Sequence, residues 1–168
     1  IKAVDETTLL LTTDSALVRV SLANNTTQQL FDLAEINLPD AWLRSLHLHD
    51  NYALLASSNG IIAIELSTLN VQRLAHVTPE QATVDNQHVK VLDSHNGKLW
   101  IGTVAGLYSL ELPALDNYLQ RHEPYQIRTE LSDFNIWRLL WQQGKALIPT
   151  ERGLYEFSPQ QQTAKKLL

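Results

Sequence analysis

The amino-acid sequence of 168 residues predicts an all-β fold built from four similar units. Three observations support this prediction: a hairpin motif recurs four times, each copy lies between two further strand-like segments, and the innermost segments are apolar almost throughout. Apolar runs of this kind indicate strands that are buried on both faces. Units of four antiparallel strands in about 45 residues, packed face to face, are typical of the blades of a β-propeller.

The recurring hairpin is clearest in residues 97–112, GKLWIGTVAGLYSLEL. Two short apolar runs flank a three-residue loop that ends in glycine, a pattern that predicts a β-hairpin. The last loop residue is spaced by 44, 46 and 47 residues from one copy to the next. The four aligned copies are residues 9–22, 53–66, 99–112 and 146–159, and the loop ends at Ala16, Gly60, Gly106 and Gly153.

The turn chemistry follows from two further columns of the alignment. Glycine at the end of the loop is expected at positive φ, whereas Ala16 predicts a different turn in the first unit. A hydroxyl at the end of the first strand is expected to bond to turn amides, and this column reads Thr13, Ser57, Thr103 and Thr150. Pro149 removes an amide from an inner strand and predicts a bulge there.

Each hairpin is preceded by an apolar strand and followed by a polar one. These segments place the blades at about 1–33, 42–75, 89–129 and 136–168. Residues 34–41, 76–87 and 121–135 are predicted linkers, and residues 113–120 predict one helical turn. The predicted inner strands are 1–4, 43–48, 89–92 and 136–141, and the outer ones are 26–31, 71–75, 125–129 and 162–167.

Composition excludes several classes of function. The net charge of −5 argues against a general nucleic-acid binder, which needs a basic face. Cysteine is absent, so disulfides, thiolate metal sites and a cysteine nucleophile are unavailable. The sequence starts at Ile1, contains no methionine and shows no signal peptide, so we expect a piece of a longer protein.

The most suggestive constellation is basic. Each predicted inner strand carries a cation at or near its start, and in a propeller these strands line the central channel. We therefore expect these side chains to converge near the channel mouth and to bind an anion; they are Lys2, Arg44, Lys90 and Arg138. Trp42 and Trp137 lie where a linker enters an inner strand, near the upper rim, and are candidate ligand contacts. Trp100, Tyr108 and Tyr155 are expected in the core between blades.

No motif with a known catalytic or metal-binding spacing is present, so we predict no catalytic residues, no metal site and no cofactor. His47 and His49 lie two apart and therefore on one face of a strand, a spacing that can chelate zinc or copper. No third ligand is fixed by the sequence, and the alternative interpretation is two solvated histidines.

Residues 89–112, VKVLDSHNGKLWIGTVAGLYSLEL, resemble the two-component-regulator propeller repeat: an apolar strand, an aspartate, a glycine turn, LWIGT, two variable residues and GL. The turn DSHNG is one residue longer than usual in that repeat. Blade 4 keeps GK, a threonine and GLY, but it has Pro149 and lacks a tryptophan at the LW position of the repeat. The resemblance is strong over these 24 residues and weak over the rest of the chain.

The resemblance implies part of a larger propeller in the periplasmic, extracytoplasmic region of an inner-membrane sensor. Such regions are attached to a membrane-anchored signalling output domain, a histidine kinase or a diguanylate cyclase. It implies a non-catalytic sensor that binds a small molecule, a glycan or a partner protein. The alternatives are a protein-interaction scaffold of the cell envelope and a propeller enzyme acting on sugars. A homodimer is also considered: two four-blade arcs related by a twofold axis can complete an eight-blade ring.

Overall fold

The computed structural model describes residues 1–74 and 88–168. Within these ranges the strands form four separate sheets, each of four antiparallel strands in chain order, as the repeat predicts. The whole predicted linker at 76–87, with His76, and the last residue of the predicted outer strand at 71–75 lie outside the described residues. No helix of the described residues is long and apolar enough to cross a membrane.

The four sheets are numbered as blades 1 to 4, and every blade is a meander of consecutive strands. Blade 1 comprises β1 (Lys2–Ala3), β2 (Thr8–Thr12), β3 (Ala16–Ser21) and β4 (Thr26–Asp32), and blade 2 comprises β5 (Leu43–His49), β6 (Tyr52–Ser57), β7 (Gly60–Glu65) and β8 (Val71–Leu74). Blade 3 comprises β9 (Val89–His95), β10 (Lys98–Thr103), β11 (Gly106–Glu111) and β12 (Arg128–Ser132), and blade 4 comprises β13 (Leu140–Gln142), β14 (Lys145–Thr150), β15 (Gly153–Ser158) and β16 (Thr163–Lys166).

The predicted hydroxyl column is confirmed in every blade. Each hydroxyl oxygen accepts a hydrogen bond from a turn amide: Thr13 from Ala16 at 2.9 Å, Ser57 from Asn59 at 3.1 Å, Thr103 from Ala105 at 3.0 Å and Thr150 from Arg152 at 3.0 Å. In blades 2 to 4 the hydroxyl also donates to the carbonyl of the glycine that ends the loop. One side chain therefore ties both ends of the loop together.

Glycine is required at the end of the hairpin loop for two different physical reasons. Gly60 and Gly153 have φ of 97° and 122°, as predicted. Gly106 does not lie at positive φ, so the prediction for this residue is wrong. A Cβ at Gly106 would instead collide with the backbone carbonyl of Leu131 in β12. Glycine is needed there for close approach of two strands.

Apolar clusters join blade 1 to blade 2, blade 2 to blade 3 and blade 3 to blade 4. Successive side chains of a strand point to opposite faces, so one strand serves two interfaces. In blade 2, Leu55 and Ile62 belong to the cluster with blade 1, whereas Leu54 and Ile61 belong to the cluster with blade 3. Trp100 and Tyr108 are buried as predicted, and Tyr155 is half-buried.

The described residues form an open arc. Within residues 1–74 and 88–168 no apolar cluster joins blade 4 to blade 1. The outward face of blade 1 carries Leu9, Leu11, Val18 and Val20, all half-buried. On the outward face of blade 4, Leu147 and Leu154 are half-buried and Leu140 is 62% exposed.

Several predicted segments differ from the structure. A ten-residue helix α1 (Leu112–Arg121) replaces the predicted single turn, and its Leu115 and Leu119 are buried against blades 2 and 3. The outer strand of blade 3 is Arg128–Ser132, three residues later than predicted, and so lies within the predicted linker 121–135. The predicted linker 34–41 contains part of a 3-10 helix (Leu33–Ile36).

The irregularity predicted at Pro149 is present. Ile136 pairs with Thr150, and Leu140 pairs with Leu147, so three residues of the inner segment face two residues of β14. Pro149 has no N–H to donate, but its carbonyl accepts from the Trp137 amide at 3.2 Å. The regular inner strand of blade 4 therefore starts only at Leu140, later than the predicted 136–141.

Candidate functional site

A cleft of about 660 Å³ lies where the innermost strands of the four blades face one another. Its size is within the range of small-molecule sites, roughly 300–1,000 Å³. Every blade contributes: β1 provides Lys2, β5 provides Arg44, β9 provides Lys90, and the segment before β13 provides Trp137 and Arg138. The remaining lining residues are Ile1, Thr12, Ser45, Leu46, Val91, Leu92, Asp93, Leu139 and Leu140.

The cleft is basic although the whole chain is acidic. Four basic side chains and one carboxylate, Asp93, line it. Burial and, second, the Arg44 guanidinium lower the pKa of Lys90 from its usual value, while Glu151 opposes them. The positive charge of Arg44 therefore disfavours the protonated form of Lys90, and a bound anion would relieve this repulsion.

The structure brings four of the five predicted site residues to this cleft, namely Arg44, Lys90, Trp137 and Arg138. Trp42 does not line it. The Trp42 ring lies beside the cleft, 5.6 Å from the Arg44 guanidinium carbon and 5.4 Å from the His88 ring centre. It borders a separate cavity of about 330 Å³. Its ring therefore contacts Arg44 from outside the cleft.

Lys2 lines the cleft but does not occupy the position equivalent to Arg44. Lys2 pairs with Leu10, His47 with Leu54, Asp93 with Trp100 and Leu140 with Leu147. These four partners occupy the same position in the alignment of the four hairpins. Lys2 therefore belongs to a second row, one step deeper along the inner strands, together with His47, Asp93 and Leu140.

The interpretation of His47 and His49 as solvated residues is wrong. His47 is 6% exposed, and both of its ring nitrogens lack a hydrogen-bond partner among the described residues. Its Nδ1 lies 3.9 Å from Oδ1 of Asp93 in the next blade. Burial lowers the pKa of His47, with smaller contributions from Lys2 and His49, while Asp93 acts in the opposite direction.

His49 belongs to a different cluster, at the contact of blade 2 with helix α1. Its Nε2 lies 2.6 Å from Oδ1 of Asp116. His49, Asp50 and Asp116 each place one possible metal-ligating atom within 4.8 Å of the others. The short contact is that of a hydrogen-bonded histidine–carboxylate pair.

The sequence analysis did not identify Glu130, a buried carboxylate between blades 3 and 4. The Glu130 side chain is 2% exposed, and its Oε1 accepts from the Ser109 hydroxyl at 2.7 Å. Lys98 Nζ and Arg128 Nε each lie 3.8 Å from the same oxygen. The three charged residues border a cavity of about 170 Å³. The predicted position of β12 left Glu130 in a linker, so no signal marked it.

Comparison with solved structures shows the same fold in several bacterial proteins. The extracellular domain assigned to the hybrid two component system BT4673 of B. thetaiotaomicron superposes with a TM-score of 0.74 at 19% identity, covering 97% of this chain and 21% of that one. The corresponding domain assigned to BT3049 of the same organism gives 0.67 at 14% identity, covering 97% and 23%.

PorZ, an essential surface component of the type-IX secretion system of Porphyromonas gingivalis, gives 0.67 at 12% identity, covering 90% of this chain and 24% of that one. The chain thus spans about a fifth to a quarter of these proteins. No family model matches the sequence, and no curated protein matches it. At these identities the similarity establishes the propeller-type fold, and the predicted resemblance to two-component-regulator propellers agrees with it.

Proposed function

We propose that this chain is part of an extracytoplasmic, non-catalytic sensor module, and that its central cleft binds an anionic small molecule. The observation that carries the proposal is the meeting of Arg44, Lys90 and Arg138, from three blades, in one cleft of an acidic protein. Basic groups that line a concave site concentrate the electric field and attract anions. The similarity to extracellular domains of two-component regulators supports the sensor role.

The mechanism of sensing follows from the arrangement of the cleft. Each blade contributes one wall, so a bound anion contacts several blades at once. The anion replaces the repulsion between Arg44 and Lys90 with attraction to both, which favours a closer approach of blades 2 and 3. A membrane-anchored output domain in the parent chain would receive this change. The periplasm is the proposed compartment.

The experiment is a titration of the 168-residue chain with citrate and with inorganic phosphate, followed by NMR chemical-shift changes. The variant Arg44→Ala/Lys90→Ala is expected to lose binding, because it removes two of the four cations. Its melting temperature should stay nearly unchanged, since neither side chain is part of the core.

The matched control is Arg121→Ala/Lys165→Ala, which removes the same two residue types from exposed positions outside the cleft. This control is expected to bind the anions as the wild type does. Equal loss of binding in both variants would mean that overall charge, and not the cleft, attracts the anion. A large fall in melting temperature for the cleft variant would assign Arg44 and Lys90 a structural role.

An interaction scaffold of the cell envelope is a second candidate, favoured by the half-buried apolar faces at both ends of the arc. Such faces mark interaction sites when they form continuous patches. A scaffold would hold a protein partner through these faces and would be insensitive to the cleft variant.

A further inference from the structure

Arg44, Lys90 and Trp137 occupy one equivalent position in blades 2, 3 and 4. In each blade the preceding residue pairs with the serine or threonine that ends the second strand: Leu43 with Ser57, Val89 with Thr103 and Ile136 with Thr150. The regular register breaks immediately afterwards in all three blades. The three residues therefore stand at the same break in the inner strand.

This break is a β-bulge in blades 2 and 3. Ser45 pairs with Ala56 and Val91 pairs with Gly102, so Arg44 and Lys90 are each the additional residue. A bulge turns a side chain away from the regular alternation of the strand and is frequent beside binding sites. All three equivalent residues line the central cleft. One position of the repeat thus supplies a cleft contact from each of these blades.

The occupants of this position differ in chemistry. Two blades place a cation there, and blade 4 places an indole ring, with Arg138 next to it. Trp137 is 49% exposed, and no aromatic ring or cation packs on it among residues 1–74 and 88–168. Trp42 differs in this respect, because its ring is already in contact with Arg44 and His88. The Trp137 ring is a large apolar surface at the edge of a basic site.

We infer that the cleft takes an organic anion whose charged group is attached to a flat ring, and that Trp137 determines this specificity by stacking on the ring. The inference rests on the proposed function and specifies its ligand. The charged group binds at Arg44 and Lys90, and the flat ring lies against the indole. Aromatic side chains favour such offset-stacked contacts over contact with saturated groups.

Asp93 limits the attraction of a second negative charge on the ligand. It lies on the same strand as Lys90, three residues further on, which is about 10 Å at the rise of a β-strand. It lines the cleft in the same row as Lys2. This row holds one carboxylate and one cation, so it offers no net attraction to a second anionic group, whereas a hydroxyl or amine on the ring would be accepted.

The test uses three acids with the same carboxylate: benzoate, cyclohexanecarboxylate and acetate. Affinities for the 168-residue chain are measured by NMR titration. Benzoate is expected to bind roughly tenfold more tightly than acetate, with cyclohexanecarboxylate between them. In Trp137→Ala the affinity for benzoate should fall to that for acetate. In the control Trp42→Ala the ratio between the two should be retained, because Trp42 does not line the cleft.

A second measurement does not depend on a variant. Benzoate, and not acetate, should shift the indole N–H resonance of Trp137 through its ring current. Equal affinities for the three acids, or a benzoate preference that survives Trp137→Ala, would overturn the inference while the anion site stands. Failure of citrate, phosphate and all three acids to bind would overturn the proposed function itself.

Discussion

Leu54 in blade 2 and Leu147 in blade 4 occupy the same position of the hairpin repeat and carry the same side chain. Leu54 is completely buried between blades 2 and 3, whereas Leu147 is half-buried on the outward face of blade 4. The same relation holds at the other end of the arc, where Leu55 of blade 2 is buried and the equivalent Leu11 of blade 1 is half-buried. The contribution of a residue to stability is thus set by the neighbouring blade.

The largest expected effect tests this difference directly. Leu54→Ala should lower the free energy of unfolding by about 2–5 kcal/mol, the usual loss for a fully buried leucine. Leu147→Ala should lower it by about 1 kcal/mol or less, because solvent already reaches this side chain. Urea denaturation of the two variants measures both values.

Equal losses in the two variants would show that the outward face of blade 4 is covered in solution. The pairing of two arcs into an eight-blade ring, which stays a prediction, would cover both end faces at once. Sedimentation velocity of the 168-residue chain would then have to show a dimer.

A smaller effect is expected at the ends of the hairpin loops. Gly106→Ala should cost about 1–3 kcal/mol, because the added Cβ meets the carbonyl of Leu131 and must push β12 away. The equivalent residue of blade 1 is already alanine, and Ala16→Gly should cost only about 0.5–1 kcal/mol through backbone entropy. Thermal denaturation compares the two. A neutral Gly106→Ala would show that β12 is free to move in blade 3.

The smallest effect concerns pH. His47 of blade 2 and Leu140 of blade 4 are equivalent, but His47 is buried against blade 3 and Leu140 is 62% exposed. Burial lowers the pKa of His47, so the unfolded chain takes up this proton near pH 6.5 while the folded chain does so at lower pH. Stability from this group is therefore present above pH 6.5 and is lost as the pH falls to the folded pKa.

Melting temperatures between pH 7.5 and pH 5 measure this contribution. The wild type should lose more stability over this range than His47→Leu, in which the titrating group is absent. His122→Leu replaces an exposed histidine and should retain the wild-type dependence. An unchanged pH dependence in His47→Leu would show that the pKa of His47 is the same in the folded and the unfolded protein.

The repeat made the hairpins predictable, because each carries its own turn chemistry. The hydroxyl column from Thr13 to Thr150 and the apolar strands on either side of it are local signals, and the structure has them where the sequence places them. The meeting of Arg44 and Lys90 also followed from the repeat, since these equivalent residues of consecutive blades face the same cleft, and Arg138 follows the equivalent Trp137 of blade 4.

Features that depend on contacts between blades were not predictable. Nothing in the residues around His47 indicates that a neighbouring strand will cover it, and the sequence favoured a solvated ring. The position of β12 was also missed, because helix α1 displaces the outer strand of blade 3 and its polar sequence has no clear alternation. Glu130 lies in β12 and was therefore missed for the same reason. The different roles of Gly60 and Gly106 depend on how closely the next strand approaches.

Among the described residues, two backbone hydrogen bonds join neighbouring blades, and both lie next to residues that line the cleft. The Leu43 amide of blade 2 donates to the Asp14 carbonyl of blade 1 at 2.7 Å, and the Ile136 amide of blade 4 donates to the Thr103 carbonyl of blade 3 at 2.9 Å. Each bond joins the inner segment of one blade to the preceding blade. Leu43 precedes Arg44, and Ile136 precedes Trp137. A ligand held by Arg44 or Trp137 is therefore expected to act next to a bond between two blades, so that a small displacement of either side chain would change the angle between those blades.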